Sequence, residues 1–366
     1  MTRRRFVLGT AALAAAATTT TLVAYSSSTN HAEAARNQRL PRTVNNSDRA
    51  LLSRELVRYA TLAPSSHNTQ CWKFRIQDSL ITIEHDLARR CPVVDPDDHH
   101  LFVSLGCAAE NLVQAALANG LQANASFDPS VTEVISISLE ATKTRASPLF
   151  QAISERQCTR GDFDGKPLSV EDLHLLEQAG RGNGVQLILL TERSVMENVL
   201  EYVMSGNTNQ LNNPAFVKEL KAWIRFSHDE AVLTGDGLFA GSSGSPALPR
   251  WLGSRLMDLF LTSKSENERY ARQVRSSAGI AIFASEANDK AHWIEAGRCY
   301  ERFALQATAL GIRNSLLNQP VEVGSIRQQF ASALNLGHWR PDLVVRFGRG
   351  PTMPWSMRRP VESVMI

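Results

Sequence analysis

No cysteine pair in this 366-residue chain has the spacing of a metal or redox site. The five cysteines, Cys71, Cys91, Cys107, Cys158 and Cys299, include no C-x-x-C. An odd count in a chain this long argues against a disulfide framework and leaves room for one bridge formed after export. The body also lacks a long Lys/Arg run, and the net charge is +3, from 39 basic and 36 acidic residues. Nothing in that balance calls for nucleic acid. A phosphate loop is missing too. Gly241–Ser245 is rich in glycine and serine but has no Lys-Ser/Thr after it and no strand before it. The Asp95, Asp97, Asp98, His99, His100 group offers metal-type side chains, yet its spacing is ordinary for a helix start and no metal is expected. What is present is apolar bulk. At 43% hydrophobic residues a packed body is expected, long enough for two linked halves.

The N-terminus carries TRRRFVL at residues 2–8, then a mild Ala/Thr-rich apolar stretch, then a polar tail. This is the pattern of an export signal, and Arg3, Arg4 and Phe6 give it the look of a twin-arginine one. Ala32-Glu33-Ala34 offers a small-x-small cleavage site. The expectation is a leader over 1–34, a polar linker over 35–47 and a periplasmic chain handled by the twin-arginine machinery. An uncleaved membrane anchor is the alternative, although the stretch is short and weak for a permanent span. Such export carries folded proteins, so a cofactor would be loaded beforehand in the cytoplasm.

A sixteen-residue segment occurs twice. Gly106–Leu121 (GCAAENLVQAALANGL) aligns without a gap on Gly297–Ile312 (GRCYERFALQATALGI), at an offset of 191, with five identities. Helix and strand periodicities flank both copies in the order helix, strand, strand, helix, strand, strand. The chain therefore reads as α+β, with a first half over 48–149 and a second over 150–366. The second half holds an insertion, about 196–274, whose amphipathic pieces suggest a lid.

Three strings carry chemistry. Ala63-Pro-Ser-Ser-His-Asn-Thr-Gln-Cys-Trp72 follows a helix and precedes a strand. Arg156-Gln-Cys-Thr-Arg160 stands ahead of Phe163 and Pro167-Leu168. Arg358-Arg359-Pro360-Val361-Glu362 ends the chain. Small and polar groups at Pro64, Ser65, Ser66 and Asn68 suit the polar edge of a flat heteroaromatic ring. Paired guanidinium groups suit a phosphate, which they can hold bidentately.

Together these strings resemble the nitroreductase family of flavin enzymes, from about residue 50 to 366. The first corresponds to the family's A-P-S-x-x-N-x-Q-P-W, with Cys71 in place of proline. The match is closest to the Acg-type branch, single chains with two nitroreductase-like halves. The resemblance implies FMN, with Pro64, Ser65, Ser66 and Asn68 against the ring. It implies Arg156, Arg160, Arg358 and, secondarily, Arg359 at the phosphate, with Gln157 and Cys158 lining the site. Cys158 stands where serine is usual. Asn318 and Gln319, in Leu317-Asn-Gln-Pro320, fall where the family's loop reaches flavin N5. Each half holds part of the set, so one FMN per chain is expected, between the halves. The implied activity is hydride transfer from NAD(P)H to a nitroaromatic or quinone-like acceptor. The alternative is an FMN-sequestering protein with a covered ring and little turnover. The chain would act as a monomeric pseudo-dimer or pair as a homodimer.

Overall fold

The computed structural model describes residues 28–42, 48–130 and 133–366. Residues 1–27 of the expected leader and 43–47 of the expected linker lie outside the described residues. The first helix, α1, spans residues 28–37 and so crosses the expected cleavage point. It packs into the body. His31 is 2% exposed and Ala35 is fully buried. The His31 ring lies 4.4 Å from Phe239 and 5.3 Å from His228. Gln38 exchanges two 2.8 Å hydrogen bonds with the backbone of Arg358. The start of the expected linker is thus part of the fold. Of the small residues there, Ala35 is buried and Ala34 packs beside it, while Ala32 stays exposed.

The first half contains α2 (Arg49–Thr61), β1 (Trp72–Gln77), β2 (Leu80–His85), α3 (His99–Ala118), β3 (Leu121–Phe127) and β4 (Ile135–Ala141). Asp48 caps α2 by accepting from the Leu51 amide. The antiparallel sheet runs β1-β2-β4-β3. A short helix, α4 (Pro148–Ala152), leads to the second half. That half begins with α5 (Val170–Gly180), capped by Ser169, and β5 (Val185–Leu190).

The insertion follows as α6 (Arg193–Leu211), α7 (Pro214–Trp223), β6 (Ile224–Arg225), α8 (His228–Thr234), β7 (Leu238–Phe239), α9 (Arg250–Phe260) and α10 (Ser263–Arg275). Next come β8 (Gly279–Ser285), α11 (Lys290–Ala309), β9 (Arg313–Leu316), α12 (Gln319–Glu322), α13 (Gly324–Ala333) and β10 (Arg340–Gly348). The second sheet runs β5-β8-β10-β9, also antiparallel, which is the strand order of the first. The strand expected at Ser315–Asn318 sits two residues earlier, because Asn318 leaves the sheet to open α12.

Burial explains the composition of β8. All seven of its residues are buried. Ala281 and Phe283 join the core shared with α11, while Ile280 and Ile282 join Val199, Leu200 and Val203 of α6. Both faces are covered, so the strand reads as a continuous apolar run. In β2, Ile81 and Ile83 are buried, whereas Leu80, Thr82, Glu84 and His85 keep partial exposure.

The two long helices, α3 and α11, cross at the repeated glycines. A Cβ built on Gly106 would lie 2.0 Å from the Ile294 carbonyl oxygen, and one on Gly297 would lie 2.0 Å from that of Val103. The contact is reciprocal at the repeat offset: 297 − 106 = 191 and 294 − 103 = 191. This is the signature of a two-fold contact, the same patch used from both sides.

Candidate functional site

The loop after α2 has a left-handed backbone at three non-glycine residues: His67 (φ 47°), Asn68 (φ 53°) and Gln70 (φ 54°). Such conformations cost free energy and persist only when neighbours hold them. Inside the loop, Ser65 Oγ accepts from the Gln70 amide at 2.9 Å and its carbonyl accepts from the Asn68 amide at 2.9 Å. From outside, Asn68 Nδ2 donates to the carbonyls of Gly237 and Met357. Gln70 Nε2 donates to the Gly235 carbonyl, and Gln70 Oε1 accepts from the Arg359 amide. Asn68 and Gln70 therefore fasten the loop to the insertion and to the C-terminal tail.

Arg358 is 5% exposed and fills all five of its N–H directions with protein oxygens. Nε donates to Thr61 O, Nη2 to Leu62 O and Ala63 O, and Nη1 to Asn68 Oδ1 and Met357 O, at 2.8–3.1 Å. Arg156 Nη2 joins at Leu62 O, 3.1 Å away, and its Nε lies 3.2 Å from Glu301 Oε1. Both arginines thus satisfy the open carbonyls at the C-terminal end of α2, where positive charge is favoured. Burial, then Arg156, pulls the Arg358 guanidinium down to about 9. Arg358 thus turns its donors to backbone carbonyls and Asn68 Oδ1, and Arg156 turns its own to Leu62 O, Glu301 and Cys158 Sγ, where a phosphate was expected. Gln157 is likewise spent in a reciprocal pair with the Met353 backbone, at 3.0 and 2.6 Å. Arg359 donates to the Ser363 carbonyl.

What remains forms a cavity of about 570 Å³ where the halves and the insertion meet. Pro64, Ser65, Ser66 and His67 line it from the first half. Cys158, Arg160, Asn318 and Gln319 line it from the second. Of the expected site residues, Asn68, Arg156, Gln157, Arg358 and Arg359 lie outside this lining. Arg160 makes no salt bridge among the described residues, and burial followed by the charge of Arg160 holds His67 down to about 4. The Ser66 amide donates to Ser104 Oγ on α3. Asn318 Oδ1 accepts from the Val344 amide, which turns Nδ2 toward His100 Nε2 at 3.2 Å. Gln319 Nε2 donates to the Tyr270 hydroxyl, and its Oε1 is buried without a hydrogen-bond partner.

Sequence reasoning missed the rest of the lining. Ser104, Cys107 and Tyr300 contribute from the crossing helices, and Phe226, Leu256 and Phe260 belong to an apolar roof from the insertion. The amphipathic periodicity of that segment was the available signal, but it names no target. The weighed cluster does form: Asp95, His99 and His100 bring ligand atoms within 4.8 Å of one another. Asp95 is spent on the amides of His100 and Leu101, and Arg340 Nη1 sits 2.9 Å from His99 Nε2. A guanidinium in that place opposes a cation. All five cysteines are free thiols.

The corresponding position in the second half, between α5 and β5, is filled. A Cβ on Gly182 would lie 2.2 Å from Cys299 Sγ. Arg302 donates to the carbonyls of Ala179 and Arg181 and lies 3.0 Å from Glu110. The same carbonyl clamp exists here, without the open loop.

Burial pushes the Glu301 carboxyl up to about 7 against the pull of Arg156. A raised acid binds more protons folded than unfolded, so its stabilising contribution is complete below its ordinary value of 4.5 and is lost as pH rises to about 7. The stability of the unsubstituted chain relative to Glu301→Gln is expected to fall across that window and to stay level above it. Urea midpoints of both proteins at matched pH read this directly. A parallel pair of curves would contradict it.

No family model matches the chain. Proteins named “Putative NAD(P)H nitroreductase” from two strains of Mycobacterium tuberculosis are 22% identical to it over 322 residues, 85% of this chain and 90% of theirs. The chain is nitroreductase-like. Its similarity to those relatives spans both halves and the insertion. Among solved structures, an FMN-dependent nitroreductase from Mycobacterium smegmatis in complex with NADPH aligns at 11% identity and a TM-score of 0.36. That alignment covers 56% of this nitroreductase-like chain and 87% of the other. A nitroreductase with bound FMN from Bacteroides fragilis aligns at 13% identity and a TM-score of 0.34, with 56% and 90% covered.

Proposed function

We propose that the chain is an exported, FMN-dependent oxidoreductase of the nitroreductase type, built from two fused halves of the Acg kind, with one FMN per chain. The single observation that carries this reading is the cavity between the halves. It is floored by Pro64–His67 from one half and by Arg160, Asn318 and Gln319 from the other. The residues present fit the group. The cavity is of ligand size, with small polar groups on one side and an apolar roof on the other. Gln319 Oε1 supplies a buried acceptor still without a donor. At the phosphate end, Arg160 lines the cavity and makes no salt bridge among the described residues, which supports the phosphate role expected of it.

The chemistry supplied by bound FMN is hydride acceptance from NAD(P)H and delivery of reducing equivalents to a nitroaromatic or quinone-like acceptor. The protein's share is placement. Ser65 and Ser66 present polar groups close to the ring, and the roof keeps water away. Arg156 and Arg358 hold the loop in its strained conformation from the other half of the chain.

The test is an absorbance spectrum of purified protein before and after dithionite, with FMN counted after denaturation. One reducible FMN per chain is expected. A colourless preparation would sink the reading. A second reading, FMN sequestration, is favoured by the roof. It predicts a flavin that dithionite bleaches and NAD(P)H leaves oxidised.

Arg160 and Arg358 separate binding from scaffold. Arg160→Ala is expected to weaken FMN binding at least about tenfold, the loss of about 1.4 kcal/mol, close to the lower bound for a charge-assisted hydrogen bond. Its melting temperature without FMN stays unchanged. Titration with FMN, beside a thermal melt, checks both halves of that statement.

A further inference from the structure

The insertion faces the cavity with two helices of opposite character. In α9 the lining residues are Gly253, Leu256, Met257 and Phe260. In α10 they are Glu266, Arg269, Tyr270 and Gln273. Both sets follow the i, i+3, i+4, i+7 spacing that places side chains on one helix face. The α9 stripe is apolar and suits a flat ring. The α10 stripe is polar and carries a guanidinium, which a cover alone does not require.

The position of that guanidinium is set from below. Gln273 Nε2 donates to the Arg160 carbonyl at 2.5 Å, and the Gln273 carbonyl accepts from Arg346 Nη1 at 3.3 Å. Arg346 is fully buried, and its Nη2 donates to the carbonyls of Thr159 and Gly161 at 3.0 and 2.7 Å. The 159–161 segment and α10 are thus tied into one wall. Arg269 stands four residues before Gln273, about 6 Å along the helix axis from the anchor that holds Arg160. Burial, and then the charges of Arg160 and Arg269 against the pull of Asp162, bring the Arg346 guanidinium down to about 9. Both cavity-facing arginines therefore lie near the same buried point.

The charges of this corner do not cancel. Arg160 makes no salt bridge among the described residues. Arg269 pairs with Glu266 through Nη2, while its Nε is buried without a hydrogen-bond partner. Burial raises the Glu266 carboxyl above its ordinary range against the pull of Arg269, which makes it a partner that a stronger anion can displace. Asp162 and Glu268 are exposed, and neither lines the cavity. Glu322, the other lining carboxylate, belongs to α12 and is bonded by Gln210 Nε2 at 2.6 Å.

We propose that Arg269 joins Arg160 in a two-guanidinium site for the phosphate monoester of the cofactor, so that the insertion decides the preference for phosphorylated over unphosphorylated flavin. A phosphate has oxygens enough for both guanidinium forks. The inference rests on the FMN reading above and adds to it a ligand that neither the 156–160 string nor the C-terminal string contains.

The full chain, Arg269→Ala and Glu266→Gln are titrated with FMN and with riboflavin, followed by flavin fluorescence, and with inorganic phosphate as a competitor. The unsubstituted chain is expected to bind FMN at least about tenfold more tightly than riboflavin, the scale of one charge-assisted hydrogen bond. In Arg269→Ala the FMN affinity falls at least about tenfold and the riboflavin affinity holds, which closes the gap between them. Glu266→Gln removes the competing carboxylate, so it tightens FMN and leaves riboflavin unchanged, a gain that a damaged fold does not give. Inorganic phosphate competes with FMN in the unsubstituted chain and less so in Arg269→Ala. Equal losses of both flavins in Arg269→Ala would make Arg269 a scaffold residue and overturn the proposal. So would a Glu266→Gln protein whose FMN affinity is unchanged or lower. Phosphate binding that needs Arg269 while the two flavins bind alike would mean a free-phosphate site and overturn the cofactor assignment. A chain that binds neither flavin defeats the FMN reading and this inference with it. One that binds both equally in every variant defeats this inference alone.

Discussion

Gly106→Leu is expected to leave no soluble folded chain, and Gly106→Ala to lose stability near or beyond the upper end, about 3 kcal/mol, of ordinary overpacking costs. The argument is geometric. The added carbon of alanine already lies 2.0 Å from a backbone oxygen of α11. Backbone cannot turn aside as a side chain does, so relief requires the two longest helices to part. Alanine favours a helix over glycine by about 1 kcal/mol, which offsets a fraction of the loss. Gly297→Ala should cost a similar amount, since Val103 meets it in the same way. Once the first substitution has pushed the helices apart, the second finds the space already made. The double variant is therefore expected to cost less than the sum of the singles. Thermal and urea melts of the three proteins settle this. A Gly106→Ala protein within about 0.5 kcal/mol of the parent, the scale of an ordinary surface change, would mean that the crossing is looser than described.

Arg358→Ala is the second large effect. It strips donors from the carbonyls of Thr61, Leu62 and Ala63 and from Asn68 Oδ1, all at one buried place. Each buried acceptor left without a donor costs about 1–3 kcal/mol, and water entering the gap recovers part of that. A loss of about 4 kcal/mol is expected, with FMN released because the strained loop relaxes. Arg358→Lys should rescue little. A lysine brings three donors from one point, whereas the guanidinium reaches carbonyls on three successive residues. The checks are the melting temperature, the FMN retained per chain and hydrogen exchange over residues 64–70. If Arg358→Ala lost FMN with an unchanged melt, a direct phosphate role would be restored.

These two cases mark what could be read from the sequence. The doubled glycine segment gave the offset, and the offset reappears in the helix crossing. Alternating and continuous apolar runs placed nearly every strand, with β9 moved by two residues because Asn318 turns out of the strand into α12 while its side chain accepts from the Val344 amide. The loop at Pro64–His67 and Arg160 fell where the cavity formed. Arg156 and Arg358 turn to the end of α2 for a physical reason: a motif announces donors but not their acceptor, and helix-end carbonyls attract a guanidinium as a phosphate does. The insertion was legible as amphipathic helices, while the object under each apolar stripe depends on tertiary placement.

The clamp on the loop is made by residue 358 of 366, and the first described helix leans on the same tail. Synthesis proceeds at about 5–20 residues per second and starts from the other end. The cavity floor therefore stays slack until Arg358, 296 residues after Leu62, has been made, and α1 waits for the same segment. A chain truncated by ten residues would carry every cavity-lining side chain and lack the means to hold them. Arg358 thus ties ligand capture to a segment far along the chain from the loop it holds.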